Sequence, residues 1–172
     1  MRTVSTWFIC GYQGREALNK LLIIGALSFV LAFPVLSTGA SASSPVPTSF
    51  ATVGSGELTC FGLSIYEATF YAPAGSFDPG QCYALRIDYK RTFSRSQLAK
   101  KSLKEMEKIF GDKADDENII SRLEEVFCDV RKGDYIVGLH NPGQGAEFFC
   151  GDQPLGRLDN TELAEAFFAI WL

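Results

Sequence analysis

A run of sixteen residues without a charged side chain, LLIIGALSFVLAFPVL (Leu21–Leu36), divides this chain into two unequal parts. Arg15 and Lys20 precede the run, and small residues with an A-x-A pattern at Ala40–Ala42 follow it. This combination predicts a secretory signal peptide over residues 1–42. The alternative is an uncleaved membrane anchor, although the run is shorter than the roughly 20 residues that cross a bilayer. Either interpretation places residues 43–172 outside the cytoplasm, in the periplasm or otherwise exported.

The charge of the remaining 130 residues excludes two classes of function. They carry thirteen basic and nineteen acidic side chains, with no basic run that could follow a nucleic-acid backbone. The single histidine, His140, has neither a second histidine nor a C-x-x-C motif to complete a metal site. We therefore expect no nucleic-acid partner, no metal and no cofactor.

Four cysteines, Cys60, Cys82, Cys128 and Cys150, follow the predicted cleavage site. In an oxidising compartment they can form two disulfides, in any of three pairings that the sequence does not distinguish. They can equally be buried thiols that pack as small apolar side chains. Both interpretations stay open at this point.

The residues after the signal peptide read as one domain, residues 54–172, behind a mobile lead-in over residues 43–53, which are rich in Ser and Pro. Apolar runs and alternation predict four strands: Glu57–Ala72, Tyr83–Arg91, Tyr135–Leu139 and Ala146–Cys150. Residues 151–158 are predicted to form a turn. The segment GDKADDEN is interpreted as a solvated helix entry rather than a metal site.

Three helices are predicted between and after these strands. Ser94 and Gln97 have the spacing of a capping box at the start of the first, and Asp159 and Glu162 repeat that spacing before the last. The middle helix covers about residues 118–126. Strands and helices in this order predict an α+β domain.

No nucleophile elbow, phosphate-binding loop, dinucleotide fingerprint or zinc-protease motif occurs in the sequence. What the predicted strands do carry is a set of phenols and hydroxyls, with arginines on or beside them: Tyr66, Thr69, Tyr71, Tyr83, Tyr89, Arg86 and Arg91. Apolar walls with a few polar groups are typical of a site for a hydrophobic ligand with one polar end. The alternative is ordinary aromatic packing in the core.

Four stretches of the chain resemble the bacterial exported branch of the chalcone isomerase-like family: GSGELTCFGLSIYEATFYA, YALRIDYKRTFS, KGDYIVGL and GAEFFCGDQPLGRLDNTELAEAFFAIWL. The resemblance implies an antiparallel sheet with helices layered on one face and a cleft between them. It also implies one of two functions, because some members are intramolecular lyases that convert chalcones to flavanones and others bind fatty acids without catalysis. Relatives continue past the final IWL, so the resemblance predicts a domain that is truncated at its C-terminus.

The resemblance gives only weak support for catalysis. The active members have an Arg shortly after a Gly-x-Gly at the start of the first long strand, and here that position falls on or near Leu58. Without a cation, both anion binding and stabilisation of an enolate-like transition state are lost. Thr59 or Tyr66 could stand at the position of the assisting strand hydroxyl.

These observations predict an exported, non-catalytic protein that binds a hydrophobic ligand such as a fatty acid. The expected ligand-binding residues are Thr59, Tyr66, Thr69, Tyr89 and Arg91. Two alternatives remain: an intramolecular lyase of the chalcone-to-flavanone type, and a structural or interaction protein of the cell envelope.

Overall fold

The computed structural model of this chain describes residues 44–111 and 116–172. The predicted signal peptide and residues 112–115 of the acidic segment lie outside them. The described residues form six strands, all antiparallel, in the spatial order β1-β2-β3-β4-β5-β6. Three helices pack on one face of this sheet, so the predicted α+β fold is confirmed. In chain order the elements are β1 (Phe50–Cys60), β2 (Leu63–Pro73), β3 (Tyr83–Tyr89), α1 (Arg95–Phe110), α2 (Asp116–Glu125), β4 (Tyr135–Asn141), β5 (Gly145–Cys150), β6 (Gln153–Leu158) and α3 (Thr161–Ala169).

The run predicted as a single strand over Glu57–Ala72 is two strands. Phe61 and Gly62 form a two-residue loop between β1 and β2, with φ values of +48° and +74°. Positive φ at both central residues is what the tight hairpin turn of type I′ requires, and only Gly62 adopts it without steric cost. In addition, β1 begins at Phe50, inside the segment predicted as a mobile lead-in.

Alternation along the strands gives the sheet two distinct faces. The helix-side face carries the larger apolar side chains, including Leu85, Ile87 and Phe148, which are 3%, 5% and 1% exposed. The opposite, outer face carries most of the charged side chains of the sheet, such as Arg86 and Asp88. This division decides which of the predicted site residues can share one ligand.

The helix caps follow local sequence, with one displacement. At α1 the predicted capping box is confirmed: Gln97 N donates to Ser94 Oγ, and Ser94 N donates to Gln97 Oε1 at 2.9 Å. At α3 the prediction is wrong by one residue, since the cap is Asn160, whose Oδ1 accepts from Leu163 N at 2.9 Å. Both helices thus satisfy their first free N–H groups with a polar side chain.

The turn predicted over residues 151–158 contains a sixth strand. β6 is the edge strand of the sheet beside β5, and Pro154 is tolerated there because an edge strand has N–H groups that no neighbour needs. A register shift between Phe148 and Phe149 accommodates it. The prediction of a turn was wrong here because it relied on turn-forming residues alone.

A disulfide between Cys128 and Cys150 joins the segment after α2 to the end of β5. Cys82 is free and exposed, so the two-disulfide interpretation does not hold for these four cysteines. None of the helices in the described ranges combines the length and apolar character needed to cross a bilayer. Within the same ranges, no three His, Cys, Asp or Glu side chains are grouped so that they could hold a metal ion.

Candidate functional site

The structure brings two of the five predicted site residues together. Tyr66 on β2 and Tyr89 on β3 are direct cross-strand neighbours on the helix-side face, with ring centroids 6.4 Å apart. Thr69 lies on the outer face, opposite Arg86. Thr59 is exposed near the end of β1. Arg91 is also exposed, and its Nε donates to the carbonyl oxygen of Ser64 at 3.4 Å.

Tyr66 and Tyr89 are both buried, 7% and 5% exposed. The Trp171 ring packs edge-on against Tyr66 at 5.5 Å, so three aromatic rings close this part of the core. Burial raises the pKa of the Tyr66 phenol far above its usual value, and the charges of Tyr89 and Glu105 add to the effect. Burial alone raises the pKa of Tyr89. Both phenols therefore stay protonated at neutral pH and can donate a hydrogen bond.

A buried ionic cluster on α1 lies within electrostatic reach of Tyr66. Glu105 is only 7% exposed, and its two carboxylate oxygens accept from Lys101 and Lys108, each at 2.8 Å. Burial by itself raises the pKa of the Glu105 carboxyl, but the hydrogen bonds and charges of the two lysines outweigh it and lower the pKa. Glu105 is thus ionised, and its negative charge is compensated by the two lysines of the same helix.

An apolar strip on the helix side of the sheet lies beside the two phenols. We define the trough as the helix-side surface of β1 and β2, formed by Gly54, Gly56, Leu58, Tyr66, Ala68 and Phe70. Its outer end is open, because Gly54 is exposed and a Cβ placed there would meet no atom within 4 Å. Its inner end is closed, because Leu58, Tyr66 and Ala68 are buried. From Gly54 to Leu58 the strand advances about 13 Å.

Aromatic rings line the side of the trough beside Phe70. Phe70 contacts Phe77 and Tyr83, with ring centroids 5.4 and 5.1 Å away, and Phe77 is 39% exposed. Behind them His140 stacks on Tyr83 at 4.6 Å and meets Phe168 edge-on at 5.1 Å. Burial raises the pKa of Tyr83 to about 12, so it too is a neutral phenol.

We expect the stability of the protein to fall as pH drops below about 6.5, the usual pKa of histidine. His140 is 4% exposed, and its Nδ1 makes no hydrogen bond within the described part of the chain. Burial lowers the pKa of this imidazole, and the Glu165 carboxylate offsets part of the shift. Because the unfolded chain binds the proton more readily, acid favours unfolding.

Urea denaturation at pH 7.5 and pH 5.5 measures this loss. The matched variant is His140→Phe, which keeps an aromatic ring against Tyr83 and Phe168 but cannot be protonated. It should lose less stability than the wild type over the same interval. Equal losses in the two proteins would show that His140 does not contribute.

The outer face holds a separate polar network around the position of Thr69. Arg86 binds both carboxylate oxygens of Asp88, at 2.8 and 2.7 Å, and its guanidinium lies 3.7 Å from the centre of the Tyr135 ring. The Tyr135 hydroxyl donates to Asp152 at 2.6 Å. Every side chain of this network already has a strong partner. We therefore interpret the network as one that stabilises β3 and β4.

A further depression, about 210 Å³, lies among the three helices, away from every predicted site residue. It has an apolar floor that includes Leu103, Met106 and Leu163, with Arg122 and Glu162 at its rim. Its volume is below the usual 300–1,000 Å³ of small-molecule sites. The trough, which joins an apolar floor to buried donors, is the better candidate site.

Among the parts of this site that were not predicted are Gly54, Glu105 and Trp171. The position of Glu105 could have been predicted from the sequence, because it falls seven residues after Leu98 on the apolar stripe of α1. Lysines four residues before it and three residues after it have the spacing of ion pairs on a helix. The role of Trp171 could not have been predicted, since its contact with Tyr66 depends on how α3 crosses the sheet. Leu58, the position near the catalytic Arg of the active family members, is buried beside Tyr66 and supplies only an apolar wall.

Comparison with known proteins agrees with this architecture. The crystal structure of a fatty-acid binding protein from Arabidopsis thaliana is similar to this chain with a TM-score of 0.55 and 10% sequence identity, covering 75% of this chain and 82% of that one. At this identity the similarity shows the fold alone. A search of curated proteins found no match.

The sequence profile described as chalcone isomerase-like matches residues 48–172. The match includes all six strands and all three helices, and it begins two residues before β1. The resemblance to the chalcone isomerase-like family is therefore confirmed over most of the chain. This protein belongs to the chalcone isomerase-like family.

Proposed function

We propose that this protein is an exported, non-catalytic binder of a hydrophobic small molecule, which lies along the trough. One observation carries the proposal: the trough has an open outer end at Gly54, an apolar floor and two buried phenols at its inner end. Such a site suits a ligand with a long apolar part and one polar end. The Arabidopsis protein of similar fold is named for fatty-acid binding, which makes a fatty acid the first probe to test.

Binding at the inner end requires a movement of side chains. Trp171 and Tyr89 already pack against Tyr66, at 5.5 and 6.4 Å, so a ligand that reaches the phenols displaces the Trp171 ring. Burial of an apolar chain contributes about 25 cal/mol per Å² removed from water. That gain has to exceed the loss of the ring contacts.

Export is supported by the apolar segment Leu21–Leu36 with its A-x-A site, and by the Cys128–Cys150 disulfide. Disulfides persist in secreted and periplasmic proteins and are rare in the cytosol. We propose that cleavage after Ala42 releases the domain.

Replacing Gly54 with Leu should lower the affinity for a hydrophobic ligand by about tenfold or more without unfolding the protein. A Cβ at this position meets no atom within 4 Å, and the rest of the leucine side chain would compete with the ligand for the open end of the trough. Ser55→Leu is the matched control, because Ser55 is the next residue on β1, exposed and on the outer face.

The measurement starts from full-length protein expressed in cells and recovered from the exported fraction. Native mass spectrometry gives both the mass of the chain, which shows whether residues 1–42 are gone, and any lipid that stays bound. A protein without bound lipid and without affinity for dodecanoate or dodecanol would refute the proposal. Turnover of an added chalcone that falls in Tyr66→Phe would replace it with the lyase alternative.

A further inference from the structure

The loop between β1 and β2 places apolar side chains in water. We define the hairpin tip as Phe61, Gly62 and Leu63. Phe61 is 89% exposed and Leu63 is 52% exposed. Phe61 also has a φ of +48°, at a turn position that favours Asn, Asp or Gly. A phenylalanine here costs backbone strain and gains almost no packing, and strain of this kind is concentrated at functional sites.

Basic side chains lie beside the hairpin tip, on two neighbouring segments, residues 90–95 and 129–134. Arg91 in the first segment donates from Nε to the carbonyl oxygen of Ser64, the residue after the tip, at 3.4 Å. Two backbone hydrogen bonds, at 2.8 and 2.9 Å, join the first segment to the second. The exposed cations of the two segments, which form no ion pair with any described residue, are Arg91, Arg95, Arg131 and Lys132.

The net charge beside the tip is opposite in sign to that of the whole domain. The two segments carry five basic and two acidic side chains, a net charge of +3, whereas residues 43–172 carry six more acidic than basic side chains. Glu57 and Glu67 lie on β1 and β2, four residues from the tip, which is about 13 Å along a strand. This distance exceeds the Debye length of about 8 Å at physiological ionic strength. A surface that touches the tip therefore meets positive charge.

Apolar side chains that project beside a group of cations match the surface of an anionic bilayer. There, apolar side chains enter the headgroup region and Arg or Lys lies near the lipid phosphates. A stable protein interface needs about 800 Å² on each partner, more than a hairpin tip of three residues supplies.

We propose that the hairpin tip is a membrane-contact element, which inserts Phe61 and Leu63 into the headgroup region of an anionic bilayer and places Arg91 at a lipid phosphate. The proposal does not rest on the ligand of the trough. It assigns a function to the exposed and strained residue at the tip, which the fold itself does not need.

The first experiment measures whether the tip enters a bilayer. Full-length Phe61→Trp, in a Trp7→Phe background, is mixed with vesicles of phosphatidylcholine and phosphatidylglycerol in equal parts, with brominated acyl chains that quench nearby indoles. Trp171 is only 8% exposed and gives the baseline. The control is Ile109→Trp in the same background, because Ile109 is 54% exposed and lies about 21 Å along α1 from Arg95. We expect quenching at least about threefold stronger in Phe61→Trp than in Ile109→Trp.

A second experiment tests the assigned side chains, with Leu63→Trp as the reporter in the Trp7→Phe background. Adding Phe61→Asn should weaken the affinity of the tip for the vesicles by about tenfold, and it should leave the urea midpoint equal or higher, because Asn tolerates a positive φ. Adding Arg91→Gln should weaken the affinity by about fivefold. Lys104→Gln removes an exposed cation of α1 away from the tip and should change the affinity by less than about twofold.

Quenching that is confined to the tip and weaker with phosphatidylcholine alone would support the proposal. Equal quenching in Phe61→Trp and Ile109→Trp would overturn it, because the protein would then lie on the bilayer without a preferred end. Quenching in neither variant would also overturn it and favour a protein as the partner of the tip. A lower urea midpoint for Phe61→Asn would assign Phe61 to folding and overturn its role at the membrane. Each of these outcomes leaves the proposed ligand binding in the trough to its own test.

Discussion

Gly145→Ala is expected to destabilise the protein by about 4 kcal/mol, the range in which single substitutions disrupt backbone packing. Gly145 begins β5 with a φ of +90°, a conformation that costs other residues about 1–3 kcal/mol. A Cβ at this position would lie 2.0 Å from the carbonyl oxygen of Leu158 and 3.2 Å from the Cα of Asp159. Because both obstacles are backbone, β6 and the start of α3 have to move.

The measurement is urea denaturation of the purified variant, with Gly143→Ala as the control. Gly143 lies in the same turn with a φ of +71°, but a Cβ there would meet nothing within 4 Å. The stability of Gly143→Ala should therefore fall only by the cost of a positive φ, about 1 kcal/mol. Similar losses in the two variants would mean that the contact with Leu158 relaxes without cost.

The consequence for function follows from the position of α3. Leu158 and Asp159 lead into Asn160, the cap of α3, and this helix brings Trp171 to Tyr66 at the inner end of the trough. A shift of β6 at Gly145 therefore reaches the candidate site through the helix. We expect Gly145→Ala to weaken ligand binding as well as stability.

Local sequence predicted the structure correctly where a few neighbouring residues determine the conformation by themselves. Ser94 and Gln97 predicted the start of α1 because the capping box is formed within four residues. The break between β1 and β2 was missed because Phe61 is an unusual residue for positive φ and hides the turn that Gly62 forms. β6 was missed because Pro154 and Gly156 read as turn residues, yet an edge strand tolerates them.

The candidate site could be predicted only in part. Tyr66 and Thr69 are three residues apart on one strand, so the alternation of side chains already places them on opposite faces. The proximity of Tyr66 to Tyr89 depends on the register between β2 and β3, which the loop of residues 74–82 does not reveal. Contacts made by α1 and α3 across the sheet depend on helix packing and have no sequence signature.

Removing the Cys128–Cys150 disulfide is expected to cost about 3 kcal/mol of stability, the effect of closing a loop of this length in the unfolded chain. The two cysteines are separated by 22 positions and connect the end of the helical layer to β5. The test is urea denaturation of the Cys128→Ala/Cys150→Ala double variant under oxidising conditions. Cys82→Ala is the control, since Cys82 is free and exposed, and it should change stability by less than about 0.5 kcal/mol. Equal stability of the double variant and the control would show that the disulfide does not constrain the fold.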